Sequence, residues 1–455
     1  MNHVSCLVPT GHLSYAPLEP ESFYRGLQEH PGAIIADAGS CDIGPYPLGS
    51  DTAASPEEWQ RFDLDHMLRG ARQLGIPMLV SSCNDTGTNT GVDLFVRLLK
   101  EIAAERHLPP FTLAAIRHTL TKADLVRLLQ QGERIAGLDG RPDLTLDVLE
   151  RTDNVVPVMG AEPFVEALRR GAEVIVAARA SDCCPFAGFA IARGIPKDVA
   201  YYWGKVLECA SFACEPYMGK ESIIGTAFED RVQVIPMHPE QRCTPASLAG
   251  HAMYERNNPL REAVAGGEID MSQVTYRQVN AITTEARGMR FHPAPDYCIK
   301  LEGAGKVGER CYVVVGVRDP QTIATIDLAI TWARQKVAAW YGPEGEAYQL
   351  YYHVYGKNGV LGELEPVTEI RSHELGIVVE AIAPSMAQAE KIVTLAARGI
   401  FYARLPTKGT AGGGAFLTED VLRGKPAYEW TLNHVMRLAS PMACFDIALE
   451  TVGAA

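Results

Sequence analysis

The run PMLVSSCNDTGTNTGVDLFVRLLK, residues 77–100, decides how this chain folds. Its first five residues are apolar or small and read as a buried strand. The nine after them, Ser82 to Thr90, are small and polar. From Gly91 to Glu105 apolar residues recur at helical spacing (Val92, Phe95, Leu98, Leu99, Ile102). Strand, polar loop and helix in that order form one half of a parallel βα unit. The same grammar recurs on both sides. Strands are predicted at Ala33–Asp37, Phe111–Ile116, Val155–Met159 and Glu173–Ala178, and helices at Pro56–Gln73, Thr121–Gln131 and Ala161–Arg170. Ser55 is expected to cap the first of these helices, with Pro56 opening it. The expected class is therefore α/β, with an open, mostly parallel sheet and crossover helices in the N-terminal half.

Beyond about Cys209 the texture changes. Strands are predicted at Glu221–Phe228, Val232–Met237, Tyr297–Gly303, Arg310–Val317 and Leu375–Ile382, and helices at Thr244–Tyr254 and Ser385–Arg398. More loop lies between them, which suggests a second α/β (α+β) region with more antiparallel strands. Glu302–Arg310, rich in glycine, reads as a hairpin turn, and 241–290 and 341–372 as long loops or lids. A chain of 455 residues exceeds one ordinary core. Two domains are expected, a Rossmann-like 1–208 and a 209–455 that completes the site.

Composition narrows the function. The net charge of −13 and the lack of a basic run argue against nucleic acid as partner. No stretch has the length and apolarity of a membrane span, and the opening residues MNHVSCLVPTGHL lack the basic and apolar regions expected of a signal peptide. Eleven scattered cysteines, without metal or disulfide spacing, suit reduced thiols in a cytoplasm.

Ligands of parallel sheets gather at the carboxyl ends of strands. The first predicted strand ends in DAGSCD (37–42), the second in SCNDTGTNT (82–90), the third in Arg117 and His118, the fourth in Gly160 and Glu162, and the fifth in RASD (179–182). Turns need Gly, Asn or Asp, but they do not need Cys, His and Arg. Five such ends on one rim imply a small-molecule site. Asp37, Asp42, Cys83, Asp85 and His118 are the candidate catalytic residues. Gly39, Ser40, Cys41, Asn84, Thr86, Arg179, Ser181 and Asp182 are candidates for binding substrate, with Lys408, Gly409, Thr410, Gly412 and Gly413 of the run KGTAGGGA as an anion cradle. Each has a plainer reading: Asp37 as a turn former, Cys83 as packing, Arg179 as a salt bridge to Asp182, His118 as structural, the glycines as a loose loop. No nucleotide or P-loop fingerprint is present, so no cofactor is expected. His238, Glu240 and His251 offer metal-ligand types at no known metal spacing, and leave a metal hydrolase as a further alternative.

The runs ARASD (178–182), CTPASLAGHAMYERNNP (243–259), LEGAGKVGERCYVVVGVRDP (301–320) and IDLAI (326–330) resemble the acyclic terpene utilisation protein A family, over roughly residues 30 to 440. That resemblance implies a role in breaking down acyclic terpenes through branched acyl-CoA intermediates. Longer members continue into a small ferredoxin-like domain, whereas this chain stops at Ala455. The resemblance therefore implies a separate small ferredoxin-like protein as partner, in a homo- or hetero-oligomer. The loop DAGSCD replaces the glycine-rich start of terpene-type members, which widens the expected substrate to an organic acid or its CoA thioester. The function expected is a cofactor-independent hydratase, dehydratase or related lyase or isomerase acting on a carboxylate-bearing molecule. The competing expectation is a non-catalytic subunit that binds an acyl group or a partner.

Overall fold

The computed structural model describes residues 3–407, 415–418 and 420–453. The strands are β1 His3–Val8, β2 Ile34–Gly39, β3 Met78–Asp85, β4 Phe111–His118, β5 Asn154–Pro157, β6 Val174–Ala177, β7 Ile223–Phe228, β8 Arg231–Pro236, β9 Thr275–Gln278, β10 Thr284–Arg287, β11 Cys298–Val317, β12 Gln349–Tyr355, β13 Leu375–Ala383, β14 Ala415–Leu417, β15 Leu422–Arg423, β16 Ala427–Arg437 and β17 Phe445–Val452, with short strands besides. The chain is mixed α/β, as its alternating pattern requires.

Ten strands form one sheet in the order β9-β10-β8-β7-β1-β2-β3-β6-β4-β17. Its centre, β1-β2-β3-β6-β4, is parallel. All eight residues of β3 and all six of β2 are buried, as expected of strands covered on both faces. Antiparallel strands extend the sheet on either side, β7 against β1 and β17 against β4. The expected boundary at 208/209 therefore falls inside a continuous sheet: Cys6 pairs with Gly225 and Leu7 with Ile224. The compact units are instead Met1–Gly305 with Trp430–Ala455, and Lys306–Glu429.

Four further sequence expectations are corrected. The strand expected at Val155–Met159 is β5, which pairs antiparallel with β11 and so leaves the parallel rim. The glycine-rich run 302–310 is no hairpin but the middle of the twenty-residue β11, where small residues allow close approach: a Cβ on Gly305 would lie 1.7 Å from the Arg151 carbonyl oxygen. Segment 241–290 is no lid but carries the helix Pro245–Met253 and the strands β9 and β10. Likewise 341–372 contains β12. The opening strand β1, which no expectation named, occupies the middle of the sheet.

In the unit Lys306–Glu429 the order is strand, helix, strand, strand, helix, then the short β14 and β15. β13 and β14 both pair antiparallel with β11, and β12 pairs with β13. This is the split β-α-β order of ferredoxin-like folds. The helices Ile326–Tyr341 and Met386–Phe401 bury Ala329, Ala333, Ile392, Val393 and Ala396 in its core. Among the described residues no helix is long and apolar enough to cross a membrane.

Candidate functional site

A cleft of about 710 Å³ opens in the first unit where β1, β2 and β6 end. From β2 and the turn after it come Asp37, Gly39, Ser40, Cys41 and Asp42; from the segment after β6 come Arg179, Ser181 and Asp182. These are the predicted residues that the structure brings together.

Asp37 sits where the register of β2 against β3 shifts, between Asp37 and Gly39. Its carboxylate accepts from the Ser81 hydroxyl (2.5 Å) and from the Gly39 N–H (3.2 Å). Burial, and then the nearby Asp182 carboxylate, push the Asp37 carboxyl far above the usual aspartate range; the charge of Arg179 only partly offsets them. Asp42, by contrast, is exposed in the short 3-10 turn Cys41–Ile43, which Ser40 caps through the Asp42 N–H at 3.1 Å.

Arg179 is buried and its guanidinium is saturated. Nε donates to Glu302 Oε2 (3.0 Å), and Nη1 donates to Asp182 Oδ1 (2.8 Å), the Ala180 carbonyl (2.9 Å) and Ser82 Oγ (3.1 Å). The predicted salt bridge to Asp182 exists, but the stronger partner is Glu302, which the sequence reading missed. Burial alone would raise the Glu302 carboxyl; Arg179 and Lys300 outweigh it and hold it down at about 2. Arg179 thus organises the floor and is not a free anion clamp.

The last residues of β3 and the turn after it support this floor. Ser82, Asn84 and Asp85 all have positive φ (52°, 62° and 67°), a conformation non-glycine residues rarely take. Gly87, at φ 69°, passes so near Arg179 that a Cβ would lie 2.3 Å from the Arg179 nitrogen. Asp85 accepts from the Ala54 and Ser55 N–H groups and the Ser55 hydroxyl (2.9 Å each) and from His12 Nε2 (3.2 Å). Burial pushes its carboxyl up, but these bonds prevail and hold it below the ordinary value. Asp85 is therefore a tied carboxylate and not a free base. Ser55 does not cap its helix because Pro56 holds the cap position and the helix starts at Glu57; Ser55 instead donates to Asp85.

The other catalytic candidates, and Asn84 and Thr86 among the binding candidates, stand outside the cleft lining. Cys83 is fully buried, and burial pushes its thiol upward, so it packs as an apolar residue. Asn84 accepts from Gln60 Nε2 (2.8 Å). Thr86 faces a void too small for a substrate, beside Arg179 and Glu302. His118 ends β4, beyond β6, where it pairs with Phe445; its Nδ1 lies 3.1 Å from the Leu120 carbonyl oxygen, and Asn89 grips its backbone on both sides. Lys408, Gly409, Thr410, Gly412 and Gly413 lie outside the described residues.

The cleft also holds residues no motif announced. Lys220 donates to the carbonyl oxygens of Gly11 (2.9 Å) and His12 (3.0 Å). Burial lowers its ammonium to about 8. Lys205 and Glu208, both buried, form an ion pair, and Glu262 joins them with Arg256 (2.6 Å from Arg256 Nη1). Burial and Glu262 push Glu208 upward against the pull of Lys205. Tyr15, Phe212 and Tyr217 line the same cleft and are exposed. Lys300 and Glu302 carried one readable signal: spaced by two on an otherwise apolar strand, they share a face.

Among the described residues no group of three or more His, Cys, Asp or Glu is placed to hold a metal ion. His251 is buried near Lys205 and Arg256, and burial with those charges lowers it to about 3; His238 Nδ1 accepts the Glu240 N–H (3.2 Å).

Residues 65–431 match the family described as acyclic terpene utilisation family protein AtuA. No curated protein and no solved structure matches the chain. The family match takes in the RASD segment, Lys220, the Lys205–Glu262 network and Glu302, and on that extent the chain belongs to the acyclic terpene utilisation family AtuA.

Proposed function

We propose that the cleft is catalytic and performs a cofactor-independent acid–base step, a hydration, dehydration or related lyase or isomerase reaction, on a carboxylate-bearing small molecule or its CoA thioester in the catabolism of acyclic terpenes or organic acids. The observation that carries this reading is Asp37: a buried carboxyl raised by burial and by Asp182, at a strand end that opens into a cleft. Two such carboxyls in one site separate into an acid and a base. Asp37 then gives a proton to a departing hydroxyl, or takes one from the carbon next to a carbonyl. Lys220 is the anchor for the substrate carboxylate, because its two carbonyl contacts leave a third N–H for the ligand. Backbone N–H groups of the turn after Gly39 are the oxyanion donors in this reading. Tyr15, Phe212 and Tyr217 suit an apolar chain at the mouth.

The test is turnover of a panel of unsaturated and hydroxy carboxylic acids and their CoA esters, followed by loss of unsaturation and by deuterium uptake from heavy water. Wild type should turn over one class and Asp37→Asn should not. A ligand that raises the melting temperature yet is never converted, at any pH from 5 to 9, would overturn catalysis. It would favour the second reading, a non-catalytic subunit that binds an acyl group or a partner. That reading draws support from the extent of internal pairing: Arg179, Lys205, Arg256 and Lys300 each already face a carboxylate. In either reading we propose a small separate ferredoxin-like protein as partner, with co-purification from a co-expressed pair as the check.

A further inference from the structure

Two buried cysteines outside the cleft lining flank an antiparallel bridge between segments that lead into it. Glu215 and Arg242 exchange both backbone hydrogen bonds, each 2.8 Å. The residues one step outward, Cys214 and Cys243, therefore face each other as a non-hydrogen-bonded pair. Their own N–H groups turn away, to the carbonyls of Ser211 and Ile282 (3.0 Å each). Cα atoms of such a pair stand about 4.5 Å apart, with side chains on the same face. That separation lies within the span a disulfide bridges. Cys214 is extended, at φ −127° and ψ 163°. Cys243 Sγ donates to the Ala213 carbonyl (3.4 Å), so its sulfur rests against the peptide leading into Cys214. Both are free thiols and both are buried.

The two segments that meet here each lead into the cleft lining, where Cys209 Sγ and Tyr254 Oη already lie 3.2 Å apart. One supplies Cys209, Phe212, Tyr217 and Lys220; the other, through the helix Pro245–Met253, supplies Tyr254, Glu255 and Arg256. We propose that Cys214 and Cys243 are a disulfide-forming pair that, when oxidised, ties these two segments together. The step is thiol–disulfide exchange with a small disulfide such as oxidised glutathione. One cysteine loses its proton and attacks a sulfur of the oxidant, which leaves a mixed disulfide and releases one small thiol. The second cysteine loses its proton and displaces the other. Two S–H bonds are lost, one S–S bond is made, and the oxidant departs as two thiols. The neighbouring thiol and burial both push Cys214 upward, so the exchange is slow in the closed protein and speeds as the segment opens.

The experiment uses the full chain with oxidised glutathione, in buffer and in urea below the unfolding transition. Free thiols are then alkylated in denaturant and peptides mapped without reduction. The expected result is one linked peptide pair containing residues 214 and 243, two fewer alkylated cysteines than the eleven of the reduced chain, and a higher melting temperature that reductant reverses. Cys243→Ala and Cys243→Ser should each abolish the link and the rise. Alkylation of both Cys214 and Cys243, their capture by other cysteines, or stable glutathione adducts at either would overturn the assignment.

Discussion

Arg179 Nε lies 3.0 Å from Glu302 Oε2, and both side chains are all but excluded from solvent. The pair joins the segment after β6 to β11 beneath the cleft. Removing one member strands the other as an unpaired buried charge, which costs about 3–5 kcal/mol. Arg179→Met and Glu302→Gln should each lose stability of that order in urea unfolding, more than exposed pairs such as Arg371–Glu369, worth about 0–1 kcal/mol. Glu302 is held at about 2, below its unfolded value. Its contribution is therefore fully present above the unfolded carboxylate pKa and is lost as pH falls towards 2. Glu302→Gln should flatten that acid limb. An unchanged limb would show that Glu302 is not the group involved.

Asp37 has the opposite sign. Its folded pKa is raised, so its contribution is fully present below the unfolded value of about 4 and is lost as pH rises through the raised one. Asp37→Asn cannot ionise, and it retains acceptor capacity for Ser81. It should keep or raise the melting temperature at pH 7 to 9 while turnover falls by about 10²–10⁴-fold. A matching loss of stability and activity would mark Asp37 as structural.

Much of this was legible in the chain, for definite reasons. The βα units announced themselves because β2 and β3 are short apolar runs followed by polar loops, a pattern set by local chemistry alone. The gathering of Asp37, Ser40, Arg179 and Asp182 followed from strand ends sharing a rim. The fate of Asp85 and His118 did not, because it depends on distant partners: Ser55 and Ala54 for one, Asn89 and β17 for the other. Lys220 and the Lys205–Glu262 network were invisible for the same reason. Each lies far along the chain from the rim it joins, and no spacing rule links Lys220 to Gly11. The long strand β11 differs from the expected hairpin because Gly305 and Gly308 mark close backbone approach there, and Gly303 makes room for the Leu432 side chain, instead of a turn.

Gly87 tests the support under the floor. It combines φ of 69° with a Cβ position 2.3 Å from the Arg179 nitrogen and 2.4 Å from its Cα. Neither backbone can yield without moving Arg179 from Glu302. Gly87→Ala should cost on the order of 3 kcal/mol, the upper part of the range for single substitutions. Gly75→Ala is the control. It too has positive φ, 66°, but open space around it, so it pays conformational strain alone. Equal losses in chemical denaturation would refute the packing argument.

Lys220 gives the sharpest test of substrate class. Its ammonium is held at about 8 by burial, against roughly 10.4 for a free lysine. Between those values the unfolded chain binds the extra proton, so the Lys220 contribution to stability rises with pH across that window. Ligand binding should run the other way. A carboxylate anchored by Lys220 meets a cation below pH 8 and a neutral amine above it, so its Kd should climb about tenfold per pH unit beyond 8. Lys220→Arg keeps its charge throughout and should abolish that alkaline rise. Lys220→Met should weaken binding at pH 7 while melting at a similar or higher temperature. Calorimetric titration of the best carboxylate at pH 6 to 9.5 measures all three proteins. A pH-independent Kd for wild type would remove Lys220 from the anion site.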